Sequence, residues 1–418
     1  MNSDLPQDSA ADPGAGEPAD RATVDLGEVD PRGSRHAGRQ SAVAVAESIA
    51  FVGTSSGTVR AVDATSGEQQ WTAGAGDAAL VSAVPLGGGV AVGERGPAGE
   101  VRLHGSDGHV RWRYRTADDV GEATKDTRFF LPFVADLAAD GEAVYAAARR
   151  YERGRDGSRT FESVVYAFEA GGGVRWRYRT DASPISLDVS DGRVAVGYNR
   201  CPGDHQRGLV VLDAGTGEER GSWDPGNDGQ RRVGDVSLLD DGLAVTSHGD
   251  YRGYRLDADC EPAWAADLAT ETRVGEETLY AYPNHVHATD AGVCFVTGNT
   301  YPEEGRETES RHPDEHTAFG YAPDGKRRWT APVSGFASGI GTDGDRVAVP
   351  VAQNFRERDA AVHGCRTVDV REGEQSGFGT AGVATAAALA GGTLAVVEEP
   401  VVYHDEGERR GAYRLHLR

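Results

Sequence analysis

Methionine occurs once in the 418 residues, at position 1, and lysine only twice, as Lys125 and Lys326. No apolar run approaches the ~18 residues of a membrane-crossing helix, which excludes a helical membrane protein. Four cysteines, Cys201, Cys260, Cys294 and Cys365, are spread without any C-x-x-C spacing, which excludes a zinc ribbon or a redox dithiol. Each is expected as a free thiol, buried or partly exposed, since a disulfide would need two of them within reach on neighbouring blades. Also missing are the Walker, G-x-S-x-G, H-E-x-x-H and dinucleotide-binding fingerprints in a strand-to-helix setting. The opening MNSDLPQDSAADPGAGEPAD has no basic stretch followed by an apolar core and no lipid-accepting cysteine. Residues 1–20 are therefore expected as a disordered acidic tail, and the protein as cytoplasmic.

Positive charge is the other deficit. Against 66 Asp and Glu stand 43 Lys and Arg, a net charge of −23. Nucleic acid and anionic membrane are poor partners for such a surface, because phosphate binding needs clustered cations. The lysine-poor, evenly acidic composition resembles that of proteins from salt-loving archaea, which makes the charge an adaptation to solvent.

Glycine is abundant, at 57 residues, and it marks a repeat. Residues 57–71, GTVRAVDATSGEQQW, read as a strand, a D-A-T-S-G turn and a second strand closing on tryptophan. Relatives of this half-unit close at Trp112, Trp176, Trp223, Trp264, Trp329 and, with phenylalanine instead, Phe378. Before each lies a strand, a glycine turn and an apolar strand, as in VSAVPLGGGVAVGE from Val81, and this hairpin occurs eight times. The pattern predicts an all-β, eight-bladed β-propeller of four-stranded antiparallel blades, since such sheets bury a core only by stacking on one another. The blades are expected at about 41–73, 79–115, 129–180, 182–224, 231–268, 281–333, 336–380 and 383–418, in one domain spanning 21–418. The last blade lacks an outer strand, and residues 22–29 are expected to supply it and close the ring.

The motif G-x-V-x-A-x-D-A-x-T-G-E-x-x-W, as in Gly57 to Trp71, resembles the blade of pyrroloquinoline-quinone-like (PQQ-like) propellers. That family includes quinoprotein alcohol dehydrogenases and the bacterial outer-membrane assembly lipoprotein. The resemblance covers roughly residues 40–418. It implies that Trp71, Trp112, Trp176, Trp223, Trp264 and Trp329 dock one blade on the next, a structural role. For the dehydrogenases it implies a quinone on a tryptophan floor, a calcium ion held by Glu, Asn and Asp, and a vicinal disulfide. This chain has no adjacent cysteines and no matching calcium cluster, so neither cofactor nor metal is expected. PQQ or a divalent metal is the alternative.

Function is sought where blades differ. Residues 149–161 (RRYERGRDGSRTF) and 299–316 (NTYPEEGRETESRHPDEH) are insertions between the second and third strands of blades three and six. Both are expected as rim loops over one mouth of the central channel. A protein or peptide partner would then meet Arg149, Arg150, Tyr151 and Arg153 on one side and Tyr301, Arg306, His312 and His316 on the other. Asp136, His285 and His287 lie on inner strands at the channel mouth, with Asp136 counted from its turn at about the register of His287. The reading is a non-catalytic binding scaffold. The alternative is a quinone- or metal-dependent oxidoreductase using those three side chains. Asp188, Asp191, Asp343 and Asp345 are read as turn formers.

Overall fold

The type unit is the run Ala42–Ala46, Ile49–Gly53, Val59–Asp63 and Gln69–Ala73, four strands paired antiparallel in sequence order. The computed structural model describes residues 21–418 except 34–37, 75, 77, 142, 306, 353–357 and 404–406, so the expected tail and Arg306 lie outside the described residues. Within the unit Asp63 makes the turn, its Oδ1 accepting from the N–H of Thr65 at 2.9 Å and of Ser66 at 2.8 Å. Asp213 repeats the device with Gly215 and Thr216 at 2.9 and 2.7 Å. A short side chain that bonds backbone two and three residues on is what makes Asp a turn residue here.

Five four-stranded sheets, one five-stranded sheet and one eight-stranded sheet follow this plan, with a two-stranded ribbon besides. The eight-stranded sheet is two four-stranded runs joined at the single pair Phe133 and Arg95. Ala22–Gly27 pairs with Tyr413–Leu417, Ala22 opposite Leu417, and so forms the edge of the sheet holding Val383–Ala390 and Thr393–Glu399. The fold is all-β, an array of antiparallel sheets of the propeller kind. Its only helical pieces among the described residues are Ala117–Val120 and the 3-10 turn Ala360–Val362. No helix is long and apolar enough to cross a membrane.

The cores lie between sheets. Val194, Val196, Val210 and Leu212 of blade four pack on Tyr145, Ala147, Val165 and Trp176 of blade three, all buried. Trp176 is 8% exposed, and its Nε1 donates to the Ala214 carbonyl of blade four at 2.9 Å. Its ring covers Gly217, whose φ is +74° and whose added Cβ would lie 2.6 Å from the indole. Glycine serves there twice, by accepting the left-handed conformation and by leaving room for the ring. Trp112, Trp264 and Trp329 donate likewise across the next gap, to Ala170, Pro323 and Val370. Trp71 lies over Gly108 of blade two, while Trp223 faces Tyr254 of blade five at 4.8 Å. At the chain ends Ala22 takes the tryptophan's place, 2.6 Å from where a Cβ on Gly67 would stand.

All four cysteines are free and buried. Burial pushes the thiols of Cys201, Cys294 and Cys365 up to about 12 and that of Cys260 to about 11, so all are protonated at neutral pH.

Candidate functional site

The innermost strands of the sheets surround a channel cavity of about 680 Å³. In three of the inner strands that line that cavity a β-bulge interrupts the ladder, and the residue after the bulge carries a polar side chain that reaches the neighbouring blade. Asp136 follows the bulge after Val134, Asp235 that after Val233, and His285 that after Pro283. Asp136 therefore stands in the register of His285, and the expected match to His287 is corrected. The turn of blade three is two residues longer than that of blade six, which shifts any count made from the turn.

These groups stitch blade to blade. Asp136 Oδ2 accepts from Leu187 N–H at 2.9 Å, Asp188 Oδ2 from Leu238 N–H at 2.7 Å, and Asp235 Oδ2 from Val286 N–H at 3.0 Å. His285 Nε2 then donates to the Ala337 carbonyl at 3.1 Å and His287 Nε2 to that of Gly344 at 2.7 Å. Asp188 is thus an inter-blade tie, which corrects the turn reading made for it. Asp345 differs from that reading too, accepting from Thr289 Oγ1 at 2.6 Å and pairing with Arg371 at 3.3 Å.

Burial sets the protonation of these ties. It pushes Asp136 up to about 6 and Asp188 to about 7, each also raised by Asp235, while accepted backbone N–H bonds pull the other way. His287 is lowered by burial. His285 Nδ1 lies 3.5 Å from Asp235 Oδ2, so Asp235, which the sequence reading did not single out, sits between Asp136 and His285. Deeper still, His248 is pushed down to about 3 by burial, and its Nε2 meets the Pro283 carbonyl at 3.1 Å. Among the described residues no three His, Cys, Asp or Glu side chains converge as a metal site.

The blade three insertion is built of strand rather than loop, whereas that of blade six is strand only to Pro302 and the described residues from 303 to 316 carry none. Residues 143–169 form one long hairpin, Ala143–Arg153 on Arg159–Glu169, with pairs running out to Arg153 and Arg159. Blade six carries Thr272–Val274 on Glu277–Thr289, which continues through Leu279 and Pro302 onto Gly292–Pro302. Arg149 is half-buried between Phe133 and Phe161, 5.2 and 5.5 Å from the ring centres. Arg150 turns the other way, donating from Nε to the Val120 carbonyl at 2.7 Å and pairing with Glu152. Tyr151 lies tilted between Phe130 and Phe161, and Arg153 is exposed. Tyr301 joins Tyr280 and Tyr282 at 6.0 and 5.3 Å, with Tyr251 stacked on Tyr280 at 4.1 Å.

His312 and His316 are not contact residues. Both are 3% exposed. His312 Nε2 lies 2.9 Å from the Thr270 carbonyl, and His316 Nε2 lies 2.8 Å from Asn299 Oδ1, so they pin the blade six insertion to its base. Their spacing in a polar stretch gave no sign of burial. The structure also gathers arginines that no motif marked, Arg95, Arg128 and Arg200, beside the blade three hairpin.

With this geometry in place the chain can be set against known proteins. The family model described as outer membrane protein assembly factor BamB matches residues 19–155 and, in a second alignment, residues 55–220. The repeat is PQQ-like. Its two overlapping alignments are what a tandem blade produces, since one blade matches another. Quinohemoprotein alcohol dehydrogenase ADHIIG from Pseudomonas putida HK5 is similar to this PQQ-like propeller, with TM-score 0.61 and 11% identity over 96% of this chain and 75% of that one. The computationally designed protein Ika8 is similar at TM-score 0.53 and 14% identity, over 90% and 98% of the two chains. Both likenesses are of fold. BamB from Moraxella catarrhalis is similar at TM-score 0.48 and 13% identity, over 80% of this chain and 94% of that one. No curated protein matches the sequence.

Proposed function

We propose that the chain is a non-catalytic binding propeller that holds a protein or peptide partner on the face of its channel mouth, between the raised hairpins of blades three and six. In this reading the sheets make a single eight-bladed ring over residues 21–418, closed by the first strand. The observation that carries it is the contrast between the two places where chemistry could reside. Asp136, His285 and His287 are each tied to the backbone of the next blade, so the work they do is structural. The hairpins instead present half-exposed aromatic side chains on rigid strands, with Tyr151 on one and Tyr301 on the other. Aromatic rings on rigid supports are the side chains that anchor interfaces most often. The four buried, unpaired thiols fit a reducing cytoplasm.

The test is purification in molar potassium chloride of the wild-type chain and of two trimmed chains, one carrying Tyr151→Ala with residues 152–160, and one carrying Tyr301→Ala with residues 303–310, replaced by two-residue turns. One stoichiometric partner that is retained by the wild type and lost from both trimmed chains is the expected result. A quinone chromophore or a metal at one equivalent per chain, or a partner retained by both trimmed chains, would overturn the reading and return Asp136, His285 and His287 to consideration.

A further inference from the structure

Along the blade three hairpin, from Phe133 and Ser183 to Arg153 and Arg159 at the far end of its pairing, lies a second cavity of about 630 Å³. Six guanidinium groups line it, those of Arg95, Arg128, Arg149, Arg153, Arg159 and Arg200, and among the described residues no carboxylate does. In a chain where acidic residues outnumber basic ones by 66 to 43, this is a local inversion of charge. None of the six makes an ion pair among the described residues. Neighbouring Arg150, Arg177 and Arg179 do, with Glu152 and Asp119. Nε of Arg149 is sealed from solvent and meets no acceptor.

The arginines are held by the faces of rings. Arg95 lies 3.8 Å above the Phe133 ring and Arg149 5.2 Å from it, while Arg128 lies 4.8 Å from Phe129. Packing like charges this closely is unfavourable. Burial, then Arg149, Arg128 and Arg39, push Arg95 down to about 9. Burial, then Arg231 and Arg159, push Arg200 to about 10. An anion among them would offset that repulsion. The same cavity also has an apolar wall. Phe129, 62% exposed, and Ile185, 37% exposed, are the large apolar side chains left open among the described residues, and both line it.

We infer that this cavity binds a small organic polyanion, one that carries two or more phosphate or carboxylate groups on an apolar or planar aromatic body. Guanidinium forks take such oxygens two at a time, in a geometry that lysine cannot match, and every cation lining the cavity is arginine. Phe129 and Ile185 cover the body. The volume falls within the ~300–1,000 Å³ of small-molecule sites. The cavity shares Tyr151, Arg153 and Arg159 with the raised hairpin, so ligand and partner would meet the same strands, but the inference is tested on the purified chain with no partner present.

The experiment is calorimetry on the full chain, at one potassium chloride concentration that keeps unfolding cooperative. The probes are ATP, benzenehexacarboxylate and inorganic pyrophosphate. One organic probe is expected to bind at one per chain, roughly tenfold or more tighter than pyrophosphate. Arg200→Gln, and separately the exposed double variant Arg153→Gln with Arg159→Gln, should each weaken it several-fold or more. Phe129→Ala, at an exposed position, should weaken the organic probe and leave pyrophosphate unchanged. ATP binding the tighter would assign phosphate, and benzenehexacarboxylate the tighter would assign carboxylate. Absence of binding by all three would overturn the inference, as would binding indifferent to the arginine variants. Pyrophosphate binding as tightly as either organic probe, with no effect of Phe129→Ala, would mean an adventitious ion only and would also overturn it.

Discussion

A tryptophan that closes one blade is read by the next blade as both an apolar plate and a hydrogen-bond donor. Trp176 is the most completely buried of the six, and replacing it with alanine removes the plate, the bond to Ala214 and the cover over Gly217. Trp176→Ala should cost about 3–5 kcal/mol, measured as a fall in the denaturant midpoint. A second residue-scale effect concerns protons. Burial raises Asp188 to about 7, above the ~3.9 of an unfolded chain, so the folded protein holds that proton more tightly. Its contribution to stability is fully present below about pH 4 and is lost as pH rises through about 7. Asn at this position keeps one acceptor for the N–H groups of Leu238 and Val189 at every pH. Asp188→Asn should therefore gain on the wild type by on the order of 1–3 kcal/mol between pH 4 and pH 8, read from paired thermal melts. A difference that stays flat would show the carboxyl ionised throughout.

At the scale of elements, strands that look alike do different work. Residues 149–161 read as a basic loop, yet alternation along the paired strands puts Arg149 and Phe161 toward the cavity while Arg150 turns back to Val120. A period of two separates neighbours that a loop would have left mixed. The first strand shows the same economy. Leu26 is 3% exposed and lies in one core with Tyr413, Leu415 and Leu417 of its partner strand and Val43 and Val62 of blade one. Deleting residues 21–27 would bare the edge of Tyr413–Leu417 and uncover that core. The truncated chain should lose several kcal/mol, with about 1.5–3 kcal/mol from Leu26 alone, and should self-associate. Denaturant melts and light scattering measure the two effects.

The whole molecule sorts its charge by position. The net −23 is spread over the surface, where high salt screens its self-repulsion. Near the chain ends a buried carboxylate is instead used as a knot. Glu399 accepts from Arg32 Nε at 2.6 Å, Ser41 Oγ at 2.9 Å and Thr385 Oγ1 at 3.0 Å, tying the segment before Ala42–Ala46 to the sheet of Val383–Ala390 and Thr393–Glu399. Two hydroxyls and a guanidinium satisfy the buried carboxylate, the condition under which burial of an ion is tolerated. Beside the channel mouth the sign reverses, and six arginines line one cavity with no acid among the described residues that line it.

The sequence by itself determined the all-β repeat, the turn aspartates, the inter-blade tryptophans and the strand left over for the last sheet. Each is a local pattern of alternation, Gly or Asp at a turn, or a closing aromatic, and recurrence makes such patterns legible. What only the tertiary structure decided was which polar side chains meet. Asp188, read as a turn former, reaches the next blade because a bulge rotates its strand. His312 and His316 lie in an acidic, polar stretch and are nonetheless buried, because the insertion folds back on Thr270 and Asn299. Arg95, Arg128, Arg149 and Arg200 come from two blades, a connection and a hairpin. Their convergence is a fact of blade stacking, which no spacing along the chain encodes.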